Sequence, residues 1–303
     1  MAETRKHYRA CNLCEAMCGI EVELAGDEII AIRGDKNDPF SRGHICPKAT
    51  ALQDIYNDPN RLKRPVKRTE DGWEEISWDE AFDTVVARLK AVQAQHGNDA
   101  VGVYLGNPNS HNAGSILYAQ GFIRSLRTKH RFSATSVDQL PHHFTSFFMY
   151  GHQLLLPIPD IDRTDFMLIL GANPLQSNGS LMTAPDVRKR LKAIQEREGK
   201  IVVIDPRKTR TAQMADTHYF IRPSTDAYLL LAMIHTLFAE NLVELGRLAA
   251  FTEGVEDIQA LVADFAPERV AGVTGISAET IVQLIRDFAA ADKAVCYGRV
   301  GVS

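Results

Sequence analysis

Short apolar runs at residues 101–105, 166–170, 201–204 and 294–297 are flanked by Gly, Pro or Asp, and their length fits strands buried on both faces of a parallel sheet. Between them, apolar positions recur at helical spacing and predict helices over 78–94, 114–128, 185–198, 226–240 and 278–290, several opened by a capping residue such as Ser77 or Ser277. This alternation predicts an α/β fold. The first 60 residues follow a different rhythm. Strand-like pieces at 20–24 and 28–33 are joined by turn-rich stretches such as Gly34-Asp35-Lys36-Asn37-Asp38-Pro39, which predicts a small β-rich domain. A linker containing Asn57-Asp58-Pro59-Asn60 and Lys63-Arg64-Pro65 separates the two patterns, giving a domain over 1–62 and an α/β region over 63–303. The last residues, Val295 to Ser303, stop inside a strand-and-glycine-turn pattern. The chain is therefore expected to be a truncated piece of a longer product, its sheet left with an unpaired edge and the isolated chain inactive.

At 303 residues and 45% hydrophobic content there is ample material for a large core. The formal charge of −4 comes from interspersed charges, which excludes a polyanion-binding surface and makes nucleic acid an unexpected partner. No run of about 18 apolar residues is available to span a bilayer, and the start lacks an apolar leader, so a cytoplasmic location is expected. Five cysteines, four of them within the first 46 residues, do not resemble a disulfide framework. Clustering of this kind points to metal.

The spacing is Cys11-x2-Cys14-x3-Cys18, then 27 residues, then Cys46-Pro47. A tight triplet with a remote fourth thiolate suits a 4Fe-4S cubane, because one loop can grip three corners and a second segment closes the fourth. Gly19 and Gly43 give the backbone freedom to wrap closely. The alternative is a structural zinc site, which uses two close pairs of ligands, with His44 completing a pair with Cys46. Cys296 falls on a predicted buried strand and is expected to be an inert core thiol.

The arrangement Cys-x2-Cys-x3-Cys-x27-Cys-Pro-Lys resembles the N-terminal cluster domain of the molybdopterin oxidoreductase family, which includes formate dehydrogenases and nitrate reductases. The resemblance continues through Arg61-Leu62-Lys63-Arg64-Pro65 and the segment from Trp73 to Ala81. It extends further through Ile169-Leu170-Gly171-Ala172-Asn173-Pro174, Ile204-Asp205-Pro206-Arg207-Lys208-Thr209 and Ile221-Arg222-Pro223-Ser224-Thr225-Asp226. These segments run along essentially the whole chain in the family's order. The resemblance implies a 4Fe-4S cluster on the four cysteines and roughly half of the site for a bis-molybdopterin guanine dinucleotide carrying molybdenum or tungsten.

Gly171-Ala172-Asn173-Pro174 makes a turn at the carboxyl end of a predicted parallel strand, the place where open α/β sheets bind dinucleotides; an ordinary turn is the alternative. The resemblance implies ligand contacts for Gly171, Asn173 and Ser180. Asp205 ends the next strand, where a carboxylate can accept from a purine edge or a ribose hydroxyl, and it is the candidate for guanine recognition. Arg207 and Thr209 follow as candidates for phosphate. The 222–226 stretch precedes a helix that Thr225 or Asp226 can cap, and the resemblance sets Pro223, Thr225 and Asp226 beside the dinucleotide as well. Lys48, directly after Cys46-Pro47, corresponds by resemblance to a positive charge between cluster and pterin. The family places its protein ligand to the metal on a loop that here reads Ser133 to His143 and holds no cysteine. Counting back from Tyr150-Gly151 selects Asp138, with Ser136 as runner-up; a carboxylate is a hard donor suited to oxidised molybdenum. His142 and His143 on the same loop are read as surface residues.

The functional expectation is a two-electron oxidoreductase acting on a small substrate at the metal, with electrons leaving through the cluster to a partner protein or subunit. The alternative is a non-catalytic iron-sulfur electron-transfer subunit related to the large subunit of NADH dehydrogenase, which shares this architecture without a pterin.

Overall fold

The structure, a computed structural model, describes residues 3–299 and 302. The interrupted pattern expected at Val300, Gly301 and Ser303 lies outside the described residues. The chain divides into two compact units, residues 1–137 and 138–303.

The first unit opens on an antiparallel meander of β1 (Thr4–Ala10), β2 (Gly19–Ala25) and β3 (Glu28–Gly34). β1 reads Thr-Arg-Lys-His-Tyr-Arg-Ala and is exposed along its whole length, so it carries no apolar face by which periodicity could reveal it. It is held by its ladder with β2, which runs from Thr4 opposite Ala25 to Ala10 opposite Gly19. Short helices α1 (Pro47–Thr50) and α2 (Leu52–Asn57) follow, the second tied back by Gln53 Nε2 donating to the Ile29 carbonyl at 3.0 Å. A small hairpin of β4 (Val66–Arg68) and β5 (Trp73–Glu75) leads to α3 (Trp78–His96), capped as expected by Ser77 Oγ, which accepts from the Glu80 amide at 3.1 Å. Then come β6 (Val103–Leu105), α4 (Ala113–Ser125) and β7 (Arg131–Ser133), with β6 and β7 paired in parallel.

The run at 101–105 departs from expectation. It contributes only the three residues of β6, paired within the described residues to β7 alone, and Tyr104 is exposed. Apolar runs mark strands that can be covered, and here the covering layers are thin: α3 buries no residue and α4 buries Ile123. Trp78, Phe82, Leu117, Tyr118 and Phe122 all stand exposed on these two helices.

The second unit is a three-layer α/β sandwich. α5 (Leu140–Tyr150) precedes β8 (Phe166–Leu170), α6 (Pro174–Ser177), α7 (Val187–Glu196), β9 (Lys200–Ile204), α8 (Arg210–Met214) and β10 (Thr217–Tyr219). Helices α9 (Asp226–Ala239), α10 (Val255–Val262), α11 (Pro267–Thr274) and α12 (Ala278–Ala290) lead to β11 (Ala294–Gly298). The four strands are all parallel, in the order β10-β9-β8-β11. Numbered within the sheet this is 3-2-1-4, a doubly wound arrangement with its switch point between β8 and β11.

Alternation along the strands divides the core. Phe166, Leu168, Leu170, Val202 and Ile204 face one layer, where they meet Leu229, Met233, Val270, Ile281 and Leu284 from α9, α11 and α12. Met167, Ile169, Ile201 and Val203 face the other layer and pack on Val187, Leu191 and Ile194 of α7 and Ala212 of α8. All five residues of β8 are buried, as a strand covered on both faces requires.

Two expectations are corrected here. The 133–143 stretch is not one loop, because Leu140 to His143 form the first turn of α5, and His143 is buried rather than at the surface. Cys296 is not a core thiol: β11 is an edge strand among the described residues and Cys296 is exposed. It stands in a concavity with Leu156, Ile158, Val295 and Tyr297, and this apolar surrounding solvates a thiolate poorly, pushing the thiol up to about 11.

Two outcomes are expected. Leu168→Ala, at a site with no exposure, should cost about 2–5 kcal/mol in urea unfolding followed by circular dichroism, while Val85→Ala on the exposed face of α3 should fall within about 0.5 kcal/mol of the parent. Alkylation of Cys296 by iodoacetamide, mapped by peptide mass, should stay slow at pH 8 and climb as the pH approaches 11, since only the thiolate reacts. A profile levelling off near the ordinary thiol value of about 8.5 would contradict the apolar setting.

Candidate functional site

Three cysteines sit on the tip of the β1–β2 hairpin. The ladder extends one step beyond Ala10 and Gly19, with the Cys11 amide donating to the Cys18 carbonyl at 2.7 Å, so residues 11–18 form a closed loop whose two ends are cysteines. Inside it, the Met17 amide donates to the Cys14 carbonyl at 3.3 Å, and Met17 takes a left-handed φ of 50°. Cys46 comes from a separate segment as the residue before α1, with Pro47 at the first helical position and the Cys46 carbonyl accepting from the Ala49 amide at 3.0 Å.

The two segments are joined by backbone contact that leaves no room for side chains. A Cβ at Gly34 would lie 2.0 Å from the Gly43 carbonyl oxygen, and one at Gly19 would lie 2.6 Å from Asp38 Cβ. Burial pushes the Cys18 thiol up to about 11, with Cys11, Cys14 and Cys46 each adding to the rise. Burial likewise raises Cys11, opposed by the Leu13 amide and assisted by Cys14 and Cys46. Cys18 thus senses the other three cysteines and Cys11 senses Cys14 and Cys46, and a grouping of four soft sulfur donors fits an iron-sulfur cluster. Lys48 is exposed on α1, two residues after Cys46.

In the second unit, parallel pairing sends the carboxyl ends of β8, β9 and β10 to one edge of the sheet. Gly171, Asn173 and Ser180 follow β8; Asp205, Arg207 and Thr209 follow β9; Pro223, Thr225 and Asp226 follow β10. Gly171 takes φ +55° and donates its amide to the Ile204 carbonyl at 3.0 Å, and a Cβ there would meet Val302 at 2.6 Å. Asp205 is buried; its Oδ1 accepts from the Arg207 amide at 2.7 Å, and its carbonyl lies 3.0 Å from His218 Nε2. Burial holds the Asp226 carboxyl above the usual carboxylate range, its own amide draws it partly back, and the charge of Asp205 adds to the rise. Two carboxyl groups at this edge are acceptors that suit a base presenting several N–H donors.

Other candidate side chains have partners within the fold. Asn173 Oδ1 accepts from the Thr211 hydroxyl at 2.8 Å, tying the turn after β8 to α8. Thr209 Oγ1 accepts from the Ala212 amide at 3.1 Å and caps α8. Thr225 Oγ1 donates to the Arg222 carbonyl at 2.7 Å, and no side chain caps α9. The Ser180 carbonyl accepts from Arg299 Nη1 at 3.0 Å. Arg207 is exposed. Asp138 is exposed on the turn ahead of α5, and Ser136 is exposed at the end of the first unit.

The sequence reading missed Thr211, His218 and Arg299. It also missed the segment after α6, where Asn178, Gly179, Leu181, Thr183 and Asp186 all have positive φ. Asn178-Gly179 and Asp186 carry a sequence signal for left-handed backbone, whereas Leu181 and Thr183 do not. Arg299 follows β11 at the switch point, beside a cavity of about 480 Å³ also lined by His142, Asp160, Leu181 and Gly298.

Residues 5–58 match the family model of the molybdopterin oxidoreductase Fe4S4 domain, and residues 61–266 match that of molybdopterin oxidoreductase. Formate dehydrogenase H of Escherichia coli is 30% identical over 99% of this chain and 42% of its own length. Nitrate reductase of Symbiobacterium thermophilum is 28% identical over 92% of this chain and 38% of its own length. Among solved structures, acetylene hydratase from Pelobacter acetylenicus superposes with a TM-score of 0.80 at 26% identity, covering 98% of this chain and 40% of that one. The chain thus spans about two fifths of the length of these relatives. The Fe4S4 match decides between cluster and zinc in favour of the cluster, and the two matches together, in series along nearly the whole chain, make it a member of the molybdopterin oxidoreductase family.

Proposed function

We propose that this chain supplies the cluster domain and one half of the pterin-dinucleotide site of an enzyme that carries out two-electron chemistry on a small substrate, nitrate reductase-like or formate dehydrogenase-like. The observation that carries the reading is the convergence of the 171–180, 205–209 and 223–226 segments on one edge of a doubly wound sheet, in the same chain as four cysteines of which Cys18 senses the other three. When bound, bis-molybdopterin guanine dinucleotide with molybdenum or tungsten supplies the oxygen-atom or hydride-equivalent chemistry, and the 4Fe-4S cluster supplies one-electron transfer to a partner protein.

The chain's own residues hold and tune these groups. Asp205 and Asp226 accept from the guanine edge, Gly171 supplies the left-handed turn that the phosphate-binding loop needs, and Arg207 supplies a guanidinium fork for phosphate oxygens. Asn173, Thr209, Ser180, Pro223 and Thr225 shape the loops that bring these groups together. Lys48 places a positive charge beside the cluster. Asp138, with Ser136 as runner-up, is the proposed oxygen ligand to the metal. The setting is proposed to be cytoplasmic, and among the described residues no helix is long and apolar enough to cross a membrane.

Two measurements test this reading. The chain reconstituted with iron and sulfide under anaerobic conditions should carry about four irons and give a reduced-cluster signal in electron paramagnetic resonance; zinc alone would refute it. Calorimetry with GDP, the nucleotide portion of the dinucleotide, should find binding that Asp205→Ala weakens about tenfold or more, as loss of a charge-assisted hydrogen bond predicts. Equal binding of GDP and ADP by the parent chain would remove Asp205 from guanine recognition.

A further inference from the structure

We propose that Asp38 and Ser41 are positioning residues for the cluster, forming a latch that fixes the segment carrying Cys46 against the strand that follows Cys18. The inference rests on the cluster assignment above. It concerns two residues that carry no ligand role and lie in the turn-rich stretch between β3 and α1.

The latch is a short relay of hydrogen bonds. Asp38 Oδ2 accepts from both the Ser41 amide, at 2.6 Å, and the Ser41 hydroxyl, at 2.5 Å. With its proton directed to Asp38, the Ser41 hydroxyl is left to accept, and it does so from the Gly19 amide at 3.0 Å. Gly19 follows Cys18 directly, so the relay ends at the backbone of the third cysteine's neighbour. Ser41 is only 2% exposed, and water cannot readily replace any link.

Backbone bonds continue the relay toward the fourth cysteine. The Asp35 amide donates to the Gly19 carbonyl at 3.0 Å, the Arg42 amide to the Asp38 carbonyl at 2.9 Å, and the His44 amide to the Ser41 carbonyl at 2.9 Å. Residues 35–44 are thereby folded into a unit anchored at Gly19, and Cys46 leaves that unit two residues after His44. The missing side chains at Gly19 and Gly34 let the unit sit directly on the strand ends. A carboxylate holding two donors is a strong acceptor, and its ionised form is favoured by the Ser41 hydroxyl and amide.

A residue that merely stabilised the turn would affect folding alone, whereas a latch on the fourth ligand governs how firmly the cluster is retained. The test compares the parent chain with Asp38→Ala, Asp38→Asn and Ser41→Ala. All are reconstituted anaerobically with iron and sulfide, and the bleaching of cluster absorbance is then followed in the presence of an iron chelator. Asp38→Ala and Ser41→Ala should bleach about tenfold faster than the parent or fill incompletely, in line with the loss of a buried charge-assisted bond. Asp38→Asn keeps an acceptor oxygen and should recover most of the parent's retention. Circular dichroism of the apo chains identifies any variant that does not fold, and Ser41→Ala, which removes one atom, then decides the matter. Parent-like iron content and bleaching in both alanine variants would overturn the latch while leaving the cluster assignment intact. A parent chain that takes up no iron would overturn both.

Discussion

The parallel ladder of β8 and β9 is the constraint on which the dinucleotide half depends. Its alternate side chains feed two separate cores, so each strand is gripped from both faces and cannot slip by one residue without exchanging those cores. Parallel pairing then gives all the strands the same direction. Residues far apart in sequence, from Gly171 to Asp226, thereby emerge at one edge, and their loops need only local turn chemistry to present amides and carboxylates there. Buried apolar bulk sets the geometry, and the polar groups occupy what it leaves open.

The cluster domain is built on the opposite principle. β1 buries nothing, β2 buries Gly19, Ile20 and Val22, and the remaining order comes from a hairpin ladder, tight glycine contacts and a few buried polar links. A domain of this size with so small a core commonly depends on metal for its stability. Burial that keeps Cys18 and Cys11 protonated in the empty form means that cluster binding must displace their protons, so the cofactor and the fold are linked.

The sequence made visible what depends on apolar runs and fixed spacing. The strands at 166–170 and 201–204, helix α12 and the Ser77 and Ser277 caps follow from local rules, and the cysteine spacing carried its chemistry openly. Elements without a plain apolar face stayed hidden: β1 is polar along most of its length, and the first turn of α5, with its two histidines, was counted into a loop over 133–143. Burial was misjudged where a run lacks a covering layer, as at β6, or lies at an edge, as with Cys296. Within the dinucleotide edge, Asp205 stood out because it ends an unmistakable strand. Thr211, His218 and Arg299 did not, since each acquires its position from a partner that only the tertiary fold supplies. The left-handed backbone at Leu181 and Thr183 was invisible too, because neither residue type favours it.

The contact between Gly19 and the 38–41 turn also bears on chain entropy. Three ligands lie within eight residues, but the fourth is separated from them by 27, and the cost of closing a loop grows by about 0.6 kcal/mol for each doubling of its length. With Ser41 bonded to Gly19, most of that segment is held by protein contacts that do not involve the cysteines. Beyond the unit folded over residues 35–44, only Ile45 and Cys46 remain to be placed. The polypeptide therefore presents its distant fourth ligand almost as if it were local, and completing the cluster demands little further loss of conformational freedom.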